Sequence, residues 1–219
     1  MRAKFDPIFC DYLLKIGNGT EQQHSCNCIQ LLSNIIVQFE DEIKSLKTLI
    51  HYVFLNIESY AENLHTMANR VILTPKNECV DHVNKILLEQ IPSEIFIYYT
   101  FNEAIDKSEQ SLQEDFLNGL TSNGIPPHEL KLKVNYPIIL LRNINPSEGL
   151  CNRTRFTCRK FEKNVILAKI TSGKYYGKFV FLPRIPFIPI QSDQSSIPFN
   201  RTQFSIRPCF AMTINKAQR

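Results

Sequence analysis

Val71-Ile72-Leu73-Thr74-Pro75-Lys76-Asn77 opens with a short apolar run of the kind found in strands buried on both faces, then breaks at a proline. From about residue 78 to 90 the period changes. Val80, Val83, Ile86 and Leu87 fall on one face of a helix. Strand, turn and helix in that order form the repeating unit of parallel sheets. Such sheets take their ligands beyond the carboxyl ends of the strands, where Thr74, Lys76 and Asn77 fall. A second run of the same kind, Cys209 to Met212, ends at Thr213-Ile214-Asn215-Lys216. Thr213 is placed to cap a new helix, and the first free N–H groups together with Lys216 make a corner suited to an anion. The sequence stops at Arg219, within that expected helix. One turn cannot nucleate itself, so the chain is expected to end inside an element.

Between these two runs lies a different texture. Ile95-Phe96-Ile97-Tyr98-Tyr99-Thr100 is β-branched and aromatic, a second sheet strand. Residues 102–115 are acidic and poor in large apolar groups, which predicts an exposed excursion. From about residue 128 short strands follow closely. Glu129 to Val134 alternates, with Lys131 and Lys133 projecting together, and Pro137 to Arg142 is a continuous buried run. Gly149 to Thr154 reads as a turn. Arg155–Phe161, Val165–Thr171 and Lys178–Pro183 read as strands, with Gly173 and Gly177 bracketing a hairpin tip. Closely spaced short strands of this kind predict a small barrel.

Toward the N-terminus the pattern is helical. Residues 4–16 place Ile8, Phe9, Tyr12, Leu13 and Ile16 at helical spacing, with Pro7 near the start and Gly17-Asn18-Gly19 as the stop. Those glycines are not a phosphate loop, because G-x-x-x-x-G-K-[ST] occurs nowhere in the chain. His24, Cys26 and Cys28 invite a zinc reading, but a one-residue gap between cysteines and the lack of a second pair argue against it. Ile35 to Glu42 resembles a strand ending in a metal-binding acid pair. Without a phosphate loop, Asp41-Glu42 is better read as the acidic start of a helix over 43–55. Residues 58–69 form a further short helix in this reading.

The bulk properties narrow the class. At 219 residues with 43% hydrophobic content the chain is long enough for one large domain or two small ones. No apolar run approaches the ~20 residues of a membrane helix. Seven cysteines without framework spacing suit a reducing, intracellular setting. The net charge of +4 hides a division. Residues 1–120 carry 17 acidic and 9 basic side chains, whereas residues 121–219 carry 4 acidic and 16 basic. A half so basic is the footprint of a polyanion surface, or else a solvated face without a ligand.

Several of these segments resemble the Pif (petite integration frequency) DNA helicases, most closely those carried by Helitron transposons. Val71 to Asn84 is similar to A-I-L-T-P-K-N-x-x-V-D-x-I-N, and Phe9 to Gly19 to F-x-x-x-L-L-x-I-G-x-G. Leu130 to Asn143 and Gly149 to Arg155 are similar to L-K-L-K-x-G-x-P-x-x-L-L-R-N and G-L-C-N-G-T-R, and Phe181 to Pro186 to x-I-P-R-I. Ala211 to Gln218 resembles a late motif that reads T-I-N-K-S-Q-G-Q. Three family glycines are replaced, by Asn135, Arg153 and Arg219. Asn tolerates a left-handed backbone; Arg153 would cost about 1 kcal/mol or more if its φ is positive.

The resemblance implies an α/β fold: a partial RecA-like parallel-sheet domain (70–120 and 200–219), an inserted small antiparallel, Src-homology-like β-barrel (125–199), and a helical segment (1–69) before them. It implies single-stranded DNA contacts from Thr74, Lys76 and Asn77 in the early motif and from Thr213, Asn215 and Lys216 in the late one, with Gln218 near the nucleotide. Lys131, Arg142, Arg155 and Arg184 are the barrel's candidates; about half of these cations are expected to be merely solvated. The complete family enzyme is an ATP-dependent helicase using ATP and Mg²⁺. This chain has no P-loop, so it is expected to bind neither by itself and to show no ATPase or unwinding. A nuclear location follows from the same resemblance. Two alternatives stay open: a protein-interaction module that complements a separate P-loop ATPase half, and a decayed transposon fragment.

Overall fold

A computed structural model describes residues 6–21, 23–25, 28–55, 57, 70–104, 118–119, 126–187 and 199–214. The chain divides into two compact units, residues 1–49 and 50–219. In the first, α1 (Pro7–Gly17) starts where the proline predicts, because Asp6 accepts a hydrogen bond from the Phe9 amide at 3.0 Å. Gly19, at φ +69°, follows its end. The strands β1 (Gln23–Ser25) and β2 (Cys28–Ile29) pair antiparallel. A 3-10 turn, Ser33–Ile35, stands where the strand-like run begins. Asp41 accepts from the Lys44 amide at 2.8 Å, and α2 (Glu42–Val53) begins with Glu42 in its first turn. The acid pair is thus a helix start. The predicted helix over 58–69 lies outside the described residues.

The second unit takes in the end of α2 and then β3 (Ile72–Thr74), which runs into the helix α3 (Asn77–Gln90) as the change of period predicts. α3 buries Val80, Val83, Leu87 and Leu88. The strand β4 (Ile95–Tyr99) departs from expectation. It does not join β3 but pairs antiparallel with β6 (Glu129–Lys133), from Ile95 against Lys133 to Tyr99 against Glu129. The reason lies in its alternation. Phe96 stacks on Phe161 and Tyr98 meets Phe204 edge-on, at centroid distances of 4.4 and 4.9 Å, while Ile95, Ile97 and Tyr99 remain exposed. A strand with one wet face belongs to an antiparallel layer.

The largest sheet has seven strands in the order β12-β7-β8-β9-β10-β11-β5. They are β5 (Phe101–Ala104), β7 (Pro137–Leu140), β8 (Arg155–Phe161), β9 (Val165–Ile170), β10 (Phe179–Phe187), β11 (Phe199–Phe204) and β12 (Ile206–Pro208). The sheet therefore draws on residues either side of 125–199. Phe101–Ala104, which overlaps the start of the excursion predicted over 102–115, is a strand because it pairs with β11 from Phe101 against Thr202 to Ala104 against Phe199. β11 and β12 are one run of chain broken at Ser205. The first part pairs with β10 and the second with β7.

Turns sit where the glycines demand. Gly149, Gly173 and Gly177 have φ of +89°, +80° and +87°. At Gly149 a Cβ would lie 2.7 Å from Tyr175 Cδ2, so both the backbone and the space require glycine. Asn135 and Arg153 also have positive φ, +67° and +72°. Asn135 is at ease there and its side chain accepts from Arg159; Arg153 carries the conformational cost anticipated for it. Lys131 and Lys133 do not both face solvent. Lys131 is exposed and 3.2 Å from Glu129, while Lys133 is 4% exposed and donates to the Ile91 carbonyl. Burial lowers the Lys133 pKa, and the carbonyl holds the amine in place.

Candidate nucleic-acid interface

The last strand, β13 (Ala211–Thr213), lies parallel to β3, with Ala211 beside Ile72, Met212 beside Leu73 and Thr213 beside Thr74. This pairing brings two widely separated sequence motifs to one place. Thr74 and Thr213 end neighbouring parallel strands, and α3 begins just beyond. Thr74 is buried and its hydroxyl donates to the Lys76 carbonyl at 2.9 Å, folding the chain from strand into helix. Lys76 caps α3 with an extended backbone and gives no side-chain hydrogen bond to the first turn. Lys76 and Asn77 are both exposed. The result is an open helix N-terminus with a lysine at its lip, an arrangement that favours phosphate.

What holds the corner is a residue the sequence reading passed over. Asn84 is 5% exposed on the buried face of α3. Its Oδ1 accepts from the Phe210 and Ala211 amides, both at 3.1 Å, and its Nδ2 donates to the Pro208 carbonyl at 3.4 Å. Tyr136 Oη donates to the Asn84 carbonyl at 3.0 Å. Phe210 packs edge-on to Phe54 and Tyr136, at centroid distances of 5.2 and 4.9 Å. Arg207 donates to both carboxylate oxygens of Asp81 on α3 at 2.9 Å. The available signal for Asn84 was its place among Val80, Val83 and Leu87: a polar residue in an apolar stripe needs partners.

The other predicted residues do not gather at this corner. Arg155 donates to the Arg70 carbonyl at 3.2 Å, just before β3 and so toward the end opposite Thr74. The Arg142 guanidinium lies 4.2 Å from the centroid of the Phe187 ring. Arg184 is half-buried. It donates to the Tyr99 and Lys163 carbonyls and to Gln203 Oε1 at 2.7, 3.3 and 3.3 Å, and lies over the Phe204 and Tyr98 rings. These bonds tie its guanidinium to the protein's own carbonyls and to Gln203, so it contributes to the fold. A fully buried cation, Arg201, also serves it, donating to Asn102 and the Pro126 carbonyl at 3.0 and 3.2 Å. Asn215, Lys216 and Gln218 lie outside the described residues. Among the described residues no three His, Cys, Asp or Glu side chains are grouped to hold a metal ion.

Comparison with known proteins agrees with this architecture. Residues 115–161 match the sequence profile of the family described as DNA helicase Pif1, 2B domain. No curated protein sequence matches the chain. Among solved structures, Bacteroides Pif1 bound to ssDNA aligns at a TM-score of 0.58 and 19% identity, covering 97% of this chain and 40% of that one. The structure titled for DNA unwinding at forked dsDNA by two coordinating Pif1 helicases aligns at 0.55 and 19%, covering 97% and 38%. Candida albicans Pif1 helicase aligns at 0.51 and 17%, covering 74% and 41%. The fold is mixed α/β, with a large antiparallel sheet and few helices, of the kind found in helicase domains. More narrowly, it is a Pif1-like helicase fold, and the chain spans less than half the length of the helicases it matches.

Proposed function

We propose that this chain is the single-stranded DNA-binding portion of a Pif-type helicase of the Helitron kind, contributing the track on which a motor moves. The observation that carries the proposal is the register of β3 and β13. It sets Thr74 beside Thr213 at the carboxyl ends of parallel strands, with Lys76 and Asn77 at the opening of α3. In this reading β3, α3 and β13 belong to a partial RecA-like domain (70–120 and 200–219), and Asn215 and Lys216 extend the DNA contact. The strands of the intervening segment (125–199), with β5, β11 and β12 of the flanking segments joined to them, form a small barrel in this reading. That reading is supported by the single run β11–β12, which pairs with β10 on one part and β7 on the other and so draws the sheet round on itself. We read residues 1–69 as a segment that precedes it and carries α1 and α2. The resemblance to published complexes supports DNA as the ligand: one solved relative is titled as bound to ssDNA, and another as in complex with ADP-AlF3 and ssDNA.

In this reading the chain does not carry Mg²⁺-ATP by itself, because it holds no P-loop string. Phosphoryl transfer rests on positioning and charge around the phosphates, so hydrolysis in this reading needs a P-loop half supplied elsewhere, Gln218 standing near its nucleotide. The setting we propose is nuclear. Fluorescence anisotropy with a labelled oligothymidylate tests the proposal. Binding should be measurable at low salt and fall steeply as salt rises, with Lys76→Ala weakening it. No binding at low salt would refute it. A phosphate-release assay with ssDNA present should show no hydrolysis, and robust turnover would refute the division of labour.

A further inference from the structure

Away from the strand-end corner, the outer face of β9 and β10 carries two aromatic rings that the protein leaves in solvent. Phe179 is 55% and Phe181 67% exposed, and they alternate with buried Val180 and Leu182, so both rings stand on one face. Directly opposite them on β9 lie Lys169 and Leu167. The Lys169 ammonium is 5.8 Å from the Phe179 ring centroid. Lys160, opposite Leu167 on β8, is exposed on the same outer side. Of the seven basic residues in the stretch 155–181, Lys169 and Lys160 are the two placed on this face, and Lys160 is paired with Glu162 at 2.7 Å. Phe179 to Pro183 pairs with β9, whereas β11 joins β10 only from Arg184 onward, so one flank of this part of β10 is open among the described residues.

We infer that this face is a stacking platform for bases of a single-stranded nucleic acid, a second contact surface distinct from the strand-end corner. Exposed rings are unfavourable in water unless something covers them. Charge selects the occupant: a polyanion neutralises the lysines while its bases cover the rings. Two rings offer at most about 500 Å², well below the roughly 800 Å² per partner of a standard protein interface. One ring per base is enough for stacking, and stacking is tolerant of sequence because every base has a π-face.

This inference rests on the reading of the chain as a single-strand binder. Its test separates the two. Labelled oligothymidylate is titrated against the wild-type chain and against Phe179→Ala, Phe181→Ala, Phe181→Trp, Lys169→Ala and Lys76→Ala. Each Phe→Ala change should weaken binding at least about fivefold with the salt slope unchanged, since a neutral ring releases no counterions. Phe181→Trp should retain affinity, and Lys169→Ala should shallow the log–log salt slope by about 0.7. If Lys76→Ala weakens binding while both Phe→Ala variants stay within about twofold of wild type, the platform is refuted and the strand-end reading stands. Wild-type chain that does not bind at all removes both. If the chain self-associates in sedimentation and Phe181→Ala abolishes this without changing DNA affinity, the face is a protein contact and the inference fails.

Discussion

The strand-end corner and the seven-stranded sheet are built on opposite principles. In the sheet, β8, β9 and β10 follow one another in sequence and pair as neighbours, and the β9–β10 connection carries Gly173 and Gly177 at positive φ. In the corner, β3 pairs with a strand from the far end of the chain. Asn84 on α3 bonds an amide 127 residues away. Local hairpins close cheaply, whereas the corner must bring together segments more than a hundred residues apart. The difference teaches that the proposed DNA site depends on the integrity of the intervening sheet, although no sheet residue need touch the DNA there.

Four substitutions sharpen that comparison. Phe210→Ala should have the largest effect. It empties a site shared by Phe54 and Tyr136 and should cost about 3–5 kcal/mol in urea unfolding. Asn84→Ala strands the buried amides of Phe210 and Ala211, and about 2–3 kcal/mol should be lost. A loss under about 0.5 kcal/mol from that change would show that the corner is not held as described.

Tyr98→Phe probes the antiparallel side. Tyr98 Oη donates to the Glu162 carbonyl at 2.9 Å, so its removal should cost about 1 kcal/mol near neutral pH. Burial pushes the Tyr98 phenol up to about 12. The unfolded chain therefore gives up this proton first, and wild-type stability should fall as pH rises from 10 toward 12. The Phe variant should lack that component, so the gap between the two should narrow over this window. Arg153→Gly is the smallest expected change and the one stabilising substitution. Relieving the left-handed arginine should add about 0.5–1 kcal/mol, after the greater freedom glycine has when unfolded. A loss of stability on that change would show that the arginine side chain contributes more than its backbone costs.

These particulars also mark what the sequence could and could not disclose. The βα unit at 71–90, the hairpin strands and the glycine turns are encoded within a few residues of one another, and they stand close to where the spacing put them. The composition of Ile95 to Thr100 marks a sheet strand but does not name its partner, which is β6 and not β3. Its alternation of Phe96 and Tyr98 with exposed Ile95, Ile97 and Tyr99 was present but read too coarsely. Arg184 illustrates a second limit. A cation in a basic segment looks like a ligand contact until the fold supplies three acceptors and two rings around it. Lys133 is a third case, drawn inward at a strand end by the Ile91 carbonyl. In each, tertiary surroundings decide the role of the side chain, and spacing along the chain carries no record of them.

Hydrogen exchange followed by mass spectrometry, with and without oligothymidylate at low salt, probes the central claim most directly. The account predicts slowed exchange at Thr74, Lys76, Asn77 and Thr213 to Ile214, where the paired strands end and α3 opens. Exchange at those amides that is the same with saturating DNA as without it would contradict the account, whatever happens elsewhere in the sheet.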